Sequence, residues 1–312
     1  MMRILVAGAG AIGMLFSGLI WLNGGEVVVY TRRREAAHAI ESDGVLIEYD
    51  EGVKRARPSC AVNPSKLQQP ELCFICVKSY DTQAVAQILA PHLPENCKVV
   101  TVQNGLNNVG RLSEIFGSGR VVGGYTTHAV TLLGLNRVYH AYQGEIVIGG
   151  HPLTTTEFSE IKRIATELSR YGLTAQSIEN VFPGMLQKLV VNAVINPLTA
   201  LLGVRNGEII EIKSLHPLIE RLLEECVVAI KELGINIEPG ELRRSVDHVA
   251  TATAKNRSSM LQDIERRRDT EIDYINGVIA AILKERGYVW SVNEALTNLI
   301  HALELRGRNI GR

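Results

Sequence analysis

The hydrophobic pattern changes character once along the chain. Before about residue 180, short apolar runs alternate with amphipathic stretches. Arg3–Ala7, Glu26–Tyr30 and residues 72–77, 98–102 and 120–124 read as buried strands. An apolar stretch ending near Leu22 and residues 81–93 read as helices between them. Residues 45–48 and 53–57 predict a small hairpin. From 126 to 149 the runs alternate, as in 137–141 and 145–148, which predicts antiparallel strands completing the sheet edge. Residues 157–171 form an amphipathic helix with Phe158, Ile161, Ala165 and Leu168 in register, and 173–177 predict a last strand. Beyond Val181 the strand pattern stops. Helices are expected over 184–202, 216–233, 241–254, 271–286 and 292–305, and the basic tail 306–312 is expected to fray. The predicted fold class is α/β: a doubly wound sheet over residues 1–179, then an all-helical domain over 180–312.

The first helix of the second half, GMLQKLVVNAVINPLTALL, carries Lys188, Asn192 and Asn196 at i, i+4 and i+8. That spacing puts them on one face. A solvated stripe would have charge around it, yet none occurs from Leu189 to Leu202. Buried polar groups need partners, so the stripe predicts a pocket wall. Pro197 is expected to end or kink this helix.

The chain opens with a strand followed by Gly8-Ala9-Gly10-Ala11-Ile12-Gly13 and a helix. In G-x-G-x-x-G the first glycine permits a tight turn. The second lets a pyrophosphate approach the backbone, and the third lets helix and strand pack. The free N–H groups of Ala11, Ile12 and Gly13 and the helix dipole suit phosphate. A dinucleotide site selective for NAD usually has an acid after the second strand. Here the run is Tyr30-Thr31-Arg32-Arg33-Arg34, with no carboxylate before Glu35. Guanidinium matches a 2′-phosphate, so NADPH (NADP+) is the expected cofactor, held by Arg32 with Arg33 or Arg34 in support. Lys78 and Asn104 follow two other strands, at the carboxyl ends where open parallel sheets bind ligands.

A second polar cluster begins at Asn256-Arg257-Ser258-Ser259, where one serine is expected to cap a helix. Thr270 with Asp273 fits a capping box. Glu271 then falls in a first helical turn, a common place for an exposed acid.

Composition narrows the function classes. The chain has 312 residues, of which 46% are hydrophobic, and its formal net charge is zero. These values argue against a nucleic-acid or anionic-membrane partner. No secretory leader pattern or bilayer-spanning stretch is evident. Five cysteines suit a reducing compartment without a disulfide framework, and a cytoplasmic location is expected. Cys73 and Cys76 alternate faces of one strand and read as small core residues. His128 and His140 read as hydrogen-bonded strand residues. No His, Cys or Asp cluster has metal-ligand spacing.

Taken together, GAGAIG, CVKS around Lys78, VQNG around Asn104, QKLVVNAVINPLTAL and NRSSMLQDIERRRDTEIDYING resemble the ketopantoate reductase (2-dehydropantoate 2-reductase) family, nearly end to end. The resemblance implies a Rossmann-type domain and NADPH-dependent reduction of 2-dehydropantoate to (R)-pantoate, a step toward pantothenate and coenzyme A. It implies Lys188 as catalytic lysine and Glu271 as its acidic partner, near both substrate and cofactor. Asn192, Asn196, Asn256 and Ser259 would contact substrate. Lys78 and Asn104 would stand at the nicotinamide end, Asn104 also facing substrate, in a cleft between the domains. Helical second domains often supply dimer contacts, and the oligomeric state is left open. The rival readings are a related dehydrogenase for another 2-keto or 3-hydroxy acid, and a non-catalytic NADP(H) sensor.

Overall fold

In the computed structural model, which describes residues 2–309, the chain forms two compact units. One comprises the residues up to Gln103 together with Asn107–Phe182. The other comprises Asn104–Leu106 and the chain from Pro183 onward.

The first unit contains β1 (Arg3–Ala7), α1 (Ala11–Leu22), β2 (Glu26–Tyr30), α2 (Arg34–Asp43), β3 (Val45–Tyr49), β4 (Gly52–Ala56) and β5 (Ser59–Ala61). It continues with β6 (Leu72–Ile75), α3 (Thr82–Leu89), β7 (Lys98–Thr101), α4 (Asn108–Phe116), β8 (Val121–Thr126) and β9 (Ala129–Leu132). Then follow β10 (Arg137–Tyr142), β11 (Ile146–Gly150), α5 (Phe158–Arg170) and β12 (Ala175–Asn180).

Eight strands make one sheet in the order β12-β11-β8-β7-β6-β1-β2-β5. All neighbours are parallel except β11 against β8. The strand order reverses between β1 and β6, which creates the switch point of a doubly wound sheet. Four strands, β4-β3-β10-β9, form a second sheet. The expected hairpin is thus present as β3 and β4, paired antiparallel. The expectation for residues 137–141 is corrected: β10 joins the hairpin sheet, parallel to β3, and of the two alternating runs only β11 pairs with the main sheet, antiparallel to β8. Alternation reports a half-buried strand but carries no information on which sheet receives it.

The second sheet explains the apolar character of α1. This helix packs against strands of both sheets. Phe16 meets Phe74 edge-to-face at 5.4 Å and His128 at 6.1 Å between ring centroids. With sheet on two sides, nearly every turn is buried.

The second unit contains α6 (Phe182–Leu202), whose residues from Pro183 belong to it, and α7 (Glu208–Glu211), α8 (His216–Glu232) and α9 (Pro239–Ala252). It continues with α10 (Ser259–Glu265), a π-helical turn Asp273–Gly277 leading into α11 (Val278–Glu285), and α12 (Val292–Asn309). Ile219, Leu222, Leu223, Leu242, Val246 and Ile300 are buried in its core. Helix α12 continues to Asn309, so residues 306–309 are helical rather than frayed, and 310–312 lie outside the described residues. By length and composition α6 could cross a membrane, contrary to the sequence expectation: its mean hydropathy is 1.4 over the relevant window. However, 67% of that window is buried inside the protein, which fits a core helix.

Candidate active site

In the first unit the glycine-rich turn lies at the switch point. The Gly8 amide donates to Tyr30 O at 2.8 Å and the Cys76 amide to Ala7 O at 2.8 Å, so the turn sits between β2 and the segment after β6. Gly8 has φ +122°, and a Cβ there would meet the Cys76 carbonyl at 2.9 Å. A Cβ on Gly10 would meet only Cys76 O at 3.6 Å, an ordinary contact. The protein's own packing therefore does not demand glycine at this position. A phosphate approaching the backbone closely here would need that space, and α1 begins there with no side-chain cap on its N-terminal amides. The residues fit a dinucleotide pyrophosphate.

Thr31 is buried after β2, and Arg32 is exposed and ion-paired with Asp81. Arg33 reaches the glycine turn itself, its guanidinium 2.6 Å from Ala9 O. Lys78 is half-buried and opens the turn that precedes α3. Sequence reasoning overlooked what holds this turn. Gln103 Nε2 donates to Val77 O at 2.6 Å and to Thr82 Oγ1 at 2.8 Å. Buried Asn108 accepts from Thr82 Oγ1 at 3.0 Å and donates to Ser79 Oγ at 3.0 Å. The one signal available was polar side chains clustered after two strand ends, those of β6 and β7.

In the second unit α6 carries Lys188 and Asn192, both half-buried, and Asn196, 5% exposed. Asn196 Nδ2 has no hydrogen-bond partner among the described residues. An unmade bond at a buried amide costs about 1–3 kcal/mol, so this donor suits an acceptor oxygen brought by a ligand. Burial lowers the Lys188 ammonium from 10.5 to about 8, and the Glu271 carboxylate opposes that shift.

Glu271 is 6% exposed, which removes the alternative of an ordinary exposed first-turn acid. The capping box is not formed either. The Thr270 hydroxyl accepts from the Ile272 amide at 3.3 Å, while the Thr270 amide donates to Glu304 Oε1 at 2.8 Å. Asp273 faces His301 at 3.0 Å instead of closing the box. The Asn104 side-chain amide donates to Glu271 Oε2 at 3.4 Å, the long end of the range. Asn104 is set there because the Leu106 amide donates to Tyr274 O at 3.0 Å, within the π-turn.

Ser258 is the helix cap: its hydroxyl accepts from the Leu261 amide at 3.1 Å and lies 2.7 Å from Thr199 Oγ1 on α6. Ser259 is left exposed at the first position of α10. Asn256 is half-buried and its carbonyl accepts from the Asn206 amide at 3.0 Å. The second unit thus joins Lys188, Asn104 and Glu271 electrostatically or by hydrogen bond, and ties the start of α10 to α6 beside Asn196.

Pro197 does not end α6, the first of the two outcomes expected of it. The helix continues to Leu202, because Asn276 Nδ2 donates to the Ala193 carbonyl at 2.9 Å in place of the missing proline amide.

The fold class is that of chains with a Rossmann-type sheet followed by a helical unit. Residues 4–152 match the family model described as ketopantoate reductase PanE/ApbA, and residues 180–304 match the C-terminal model of the same family. A 2-dehydropantoate 2-reductase of Archaeoglobus fulgidus is 32% identical, over 97% of this chain and 98% of that one. This chain therefore belongs to the ketopantoate reductase family of oxidoreductases. Among solved structures, a ketopantoate reductase of this family from Ralstonia eutropha superposes with a TM-score of 0.88 at 25% identity, covering 98% of this chain and 100% of that one. A D-mandelate dehydrogenase solved with NADH and anilino(oxo)acetate has a TM-score of 0.92 at 24% identity, with 98% and 100% covered.

Proposed function

We propose that this protein reduces 2-dehydropantoate to (R)-pantoate with NADPH, a cytoplasmic step toward pantothenate and coenzyme A. The observation that carries the reading is a cation on an apolar helix, Lys188, opposed by buried Glu271 and followed on the same face by the unpartnered amide of Asn196. Gly8, Gly10, Ala11, Ile12 and Gly13 would receive the pyrophosphate and Arg32 the 2′-phosphate, with Lys78 and Asn104 toward the nicotinamide. Bound NADPH supplies the hydride. As negative charge develops on the ketone oxygen, the Lys188 ammonium stabilises it and transfers a proton to it. Glu271 holds that ammonium and accepts from a substrate hydroxyl. Asn192 and Asn196 donate to substrate oxygens, with Asn256 and Ser259 contributing from the start of α10. The helical unit is the candidate homodimer surface.

A second reading, reduction of another 2-keto acid, is favoured by the close fold of the D-mandelate dehydrogenase solved with NADH and anilino(oxo)acetate. NADPH oxidation with 2-dehydropantoate, compared with NADH and a panel of 2-keto acids, separates the two. Faster turnover of an aryl keto acid than of 2-dehydropantoate would reject the first reading.

A further inference from the structure

A proline inside a helix removes the donor for the carbonyl four residues earlier. In α6 that carbonyl belongs to Ala193, which is fully buried, so water cannot replace the lost bond. Asn276 fills the gap. Its Nδ2 spends one hydrogen on Ala193 O at 2.9 Å and the other on Asn293 Oδ1 at 3.0 Å. Asn293 is itself locked in orientation. Its Nδ2 donates to Glu225 Oε2 at 2.8 Å, and its backbone amide donates to the same oxygen at 3.1 Å. The Val292 amide takes Glu225 Oε1 at 2.9 Å. Asn276 and Asn293 are 0% exposed and Glu225 1%. A flipped Asn276 would oppose its oxygen to two acceptors, so the network admits one orientation.

Asn276 lies in the π-turn Asp273–Gly277, whose Tyr274 carbonyl accepts from Leu106, and Glu271 enters that turn two residues before it begins. One short element therefore holds the Asn104 segment, carries in Glu271 and props α6 at its proline. We propose that Asn276 is a positioning residue that replaces the helical hydrogen bond lost at Pro197 and thereby sets where Lys188, Asn192 and Asn196 stand relative to Glu271. This rests on the reading of Lys188 and Glu271 as the reacting pair. A misplacement of about 1 Å can cost on the order of 10²-fold in rate, so a single tether between their elements has leverage.

The test is a double-mutant cycle of Asn276→Ala and Pro197→Ala, because alanine at 197 restores the backbone donor to Ala193. Asn276→Ala is expected to lower Tm. At a temperature where circular dichroism reports an intact fold, it should also lower kcat at least about tenfold and raise KM for the keto acid, leaving KM for NADPH within about twofold. Pro197→Ala alone should remain near wild type. The double variant should recover most of the kinetic losses and part of the Tm loss, since Asn293 Oδ1 still lacks its donor, and if Asn276→Ala does not fold, the double variant should. A double variant no better than Asn276→Ala overturns the proposal, as does a fall in Tm with unchanged kinetic constants. Wild-type protein inactive on 2-dehydropantoate would instead sink the functional reading and the positioning role with it, while the Tm arm would still report the replaced hydrogen bond.

Discussion

Gly105 lies against the backbone of Tyr274 so closely that a Cβ on Gly105 would sit 2.6 Å from the Tyr274 carbonyl oxygen. Its φ of +83° is also unfavourable for other residues. The contact fixes the Leu106 amide on Tyr274 O and the Asn104 amide on Glu271. Gly105→Ala is therefore expected to destabilise the protein by about 1–3 kcal/mol and to raise KM for the keto acid. Urea denaturation and steady-state kinetics check both. Wild-type values in both would show that the approach is not needed.

Lys188 must be protonated to donate. Burial pulls its ammonium down to about 8, so at neutral pH most of it retains the proton. The kcat profile should be flat below that pH and fall about tenfold per unit above it. Lys188→Ala should lower kcat by roughly 10²–10⁴-fold. Near-normal turnover in this variant would remove Lys188 from the mechanism.

Glu271 opposes the lowering of Lys188, because its negative charge favours the ammonium form. Glu271→Gln should then move the alkaline limb of the kcat profile to lower pH while raising KM for the keto acid. A limb moving to higher pH, or an effect confined to KM for NADPH, would contradict the pairing.

Arg32 is exposed and paired with Asp81, so its contribution depends on giving up that partner for a phosphate. Charge-assisted bonds contribute about 1.5–3 kcal/mol, so Arg32→Ala should reduce the NADPH-over-NADH preference in kcat/KM by about 10–100-fold. An unchanged ratio would show that selectivity lies elsewhere.

His128 and His140 stand 3.0 Å apart, buried between β10 and the segment that joins β8 to β9. Burial, then the neighbouring His140, pushes His128 down to about 4, and burial also lowers His140. The folded state thus binds protons less readily than the unfolded chain. Stability is fully present above about pH 6.5 and is lost as the pH falls toward 4, by up to about 3 kcal/mol for His128. Thermal melts between pH 7 and 4 should show the loss, and His128→Gln should flatten it.

Much of the first unit was legible because its signals are local. Arg3–Ala7 and Glu26–Tyr30 are continuous apolar runs bounded by turn residues, and both strands have the expected ends. The glycine turn was legible for the same reason, since spacing alone states which position faces helix, strand or ligand. Sheet membership of β10 was not legible, because partner choice is a long-range matter. The capping box around Glu271 misled for a related reason. Thr270 and Asp273 look like a local cap, but Glu304 and His301, distant in sequence, take their partners.

The sequence by itself determined the two-part organisation, the dinucleotide-type turn and the polar stripe Lys188–Asn192–Asn196, because periodicity and glycine spacing act within a few residues. Only the tertiary structure decided that Glu271 is buried, that Ser258 rather than Ser259 caps α10, and that α6 passes through Pro197 intact. Each of these depends on a hydrogen-bond partner supplied from elsewhere in the chain. For α6 that partner is Asn276, whose amide reaches an Ala193 carbonyl that its own helix can no longer satisfy.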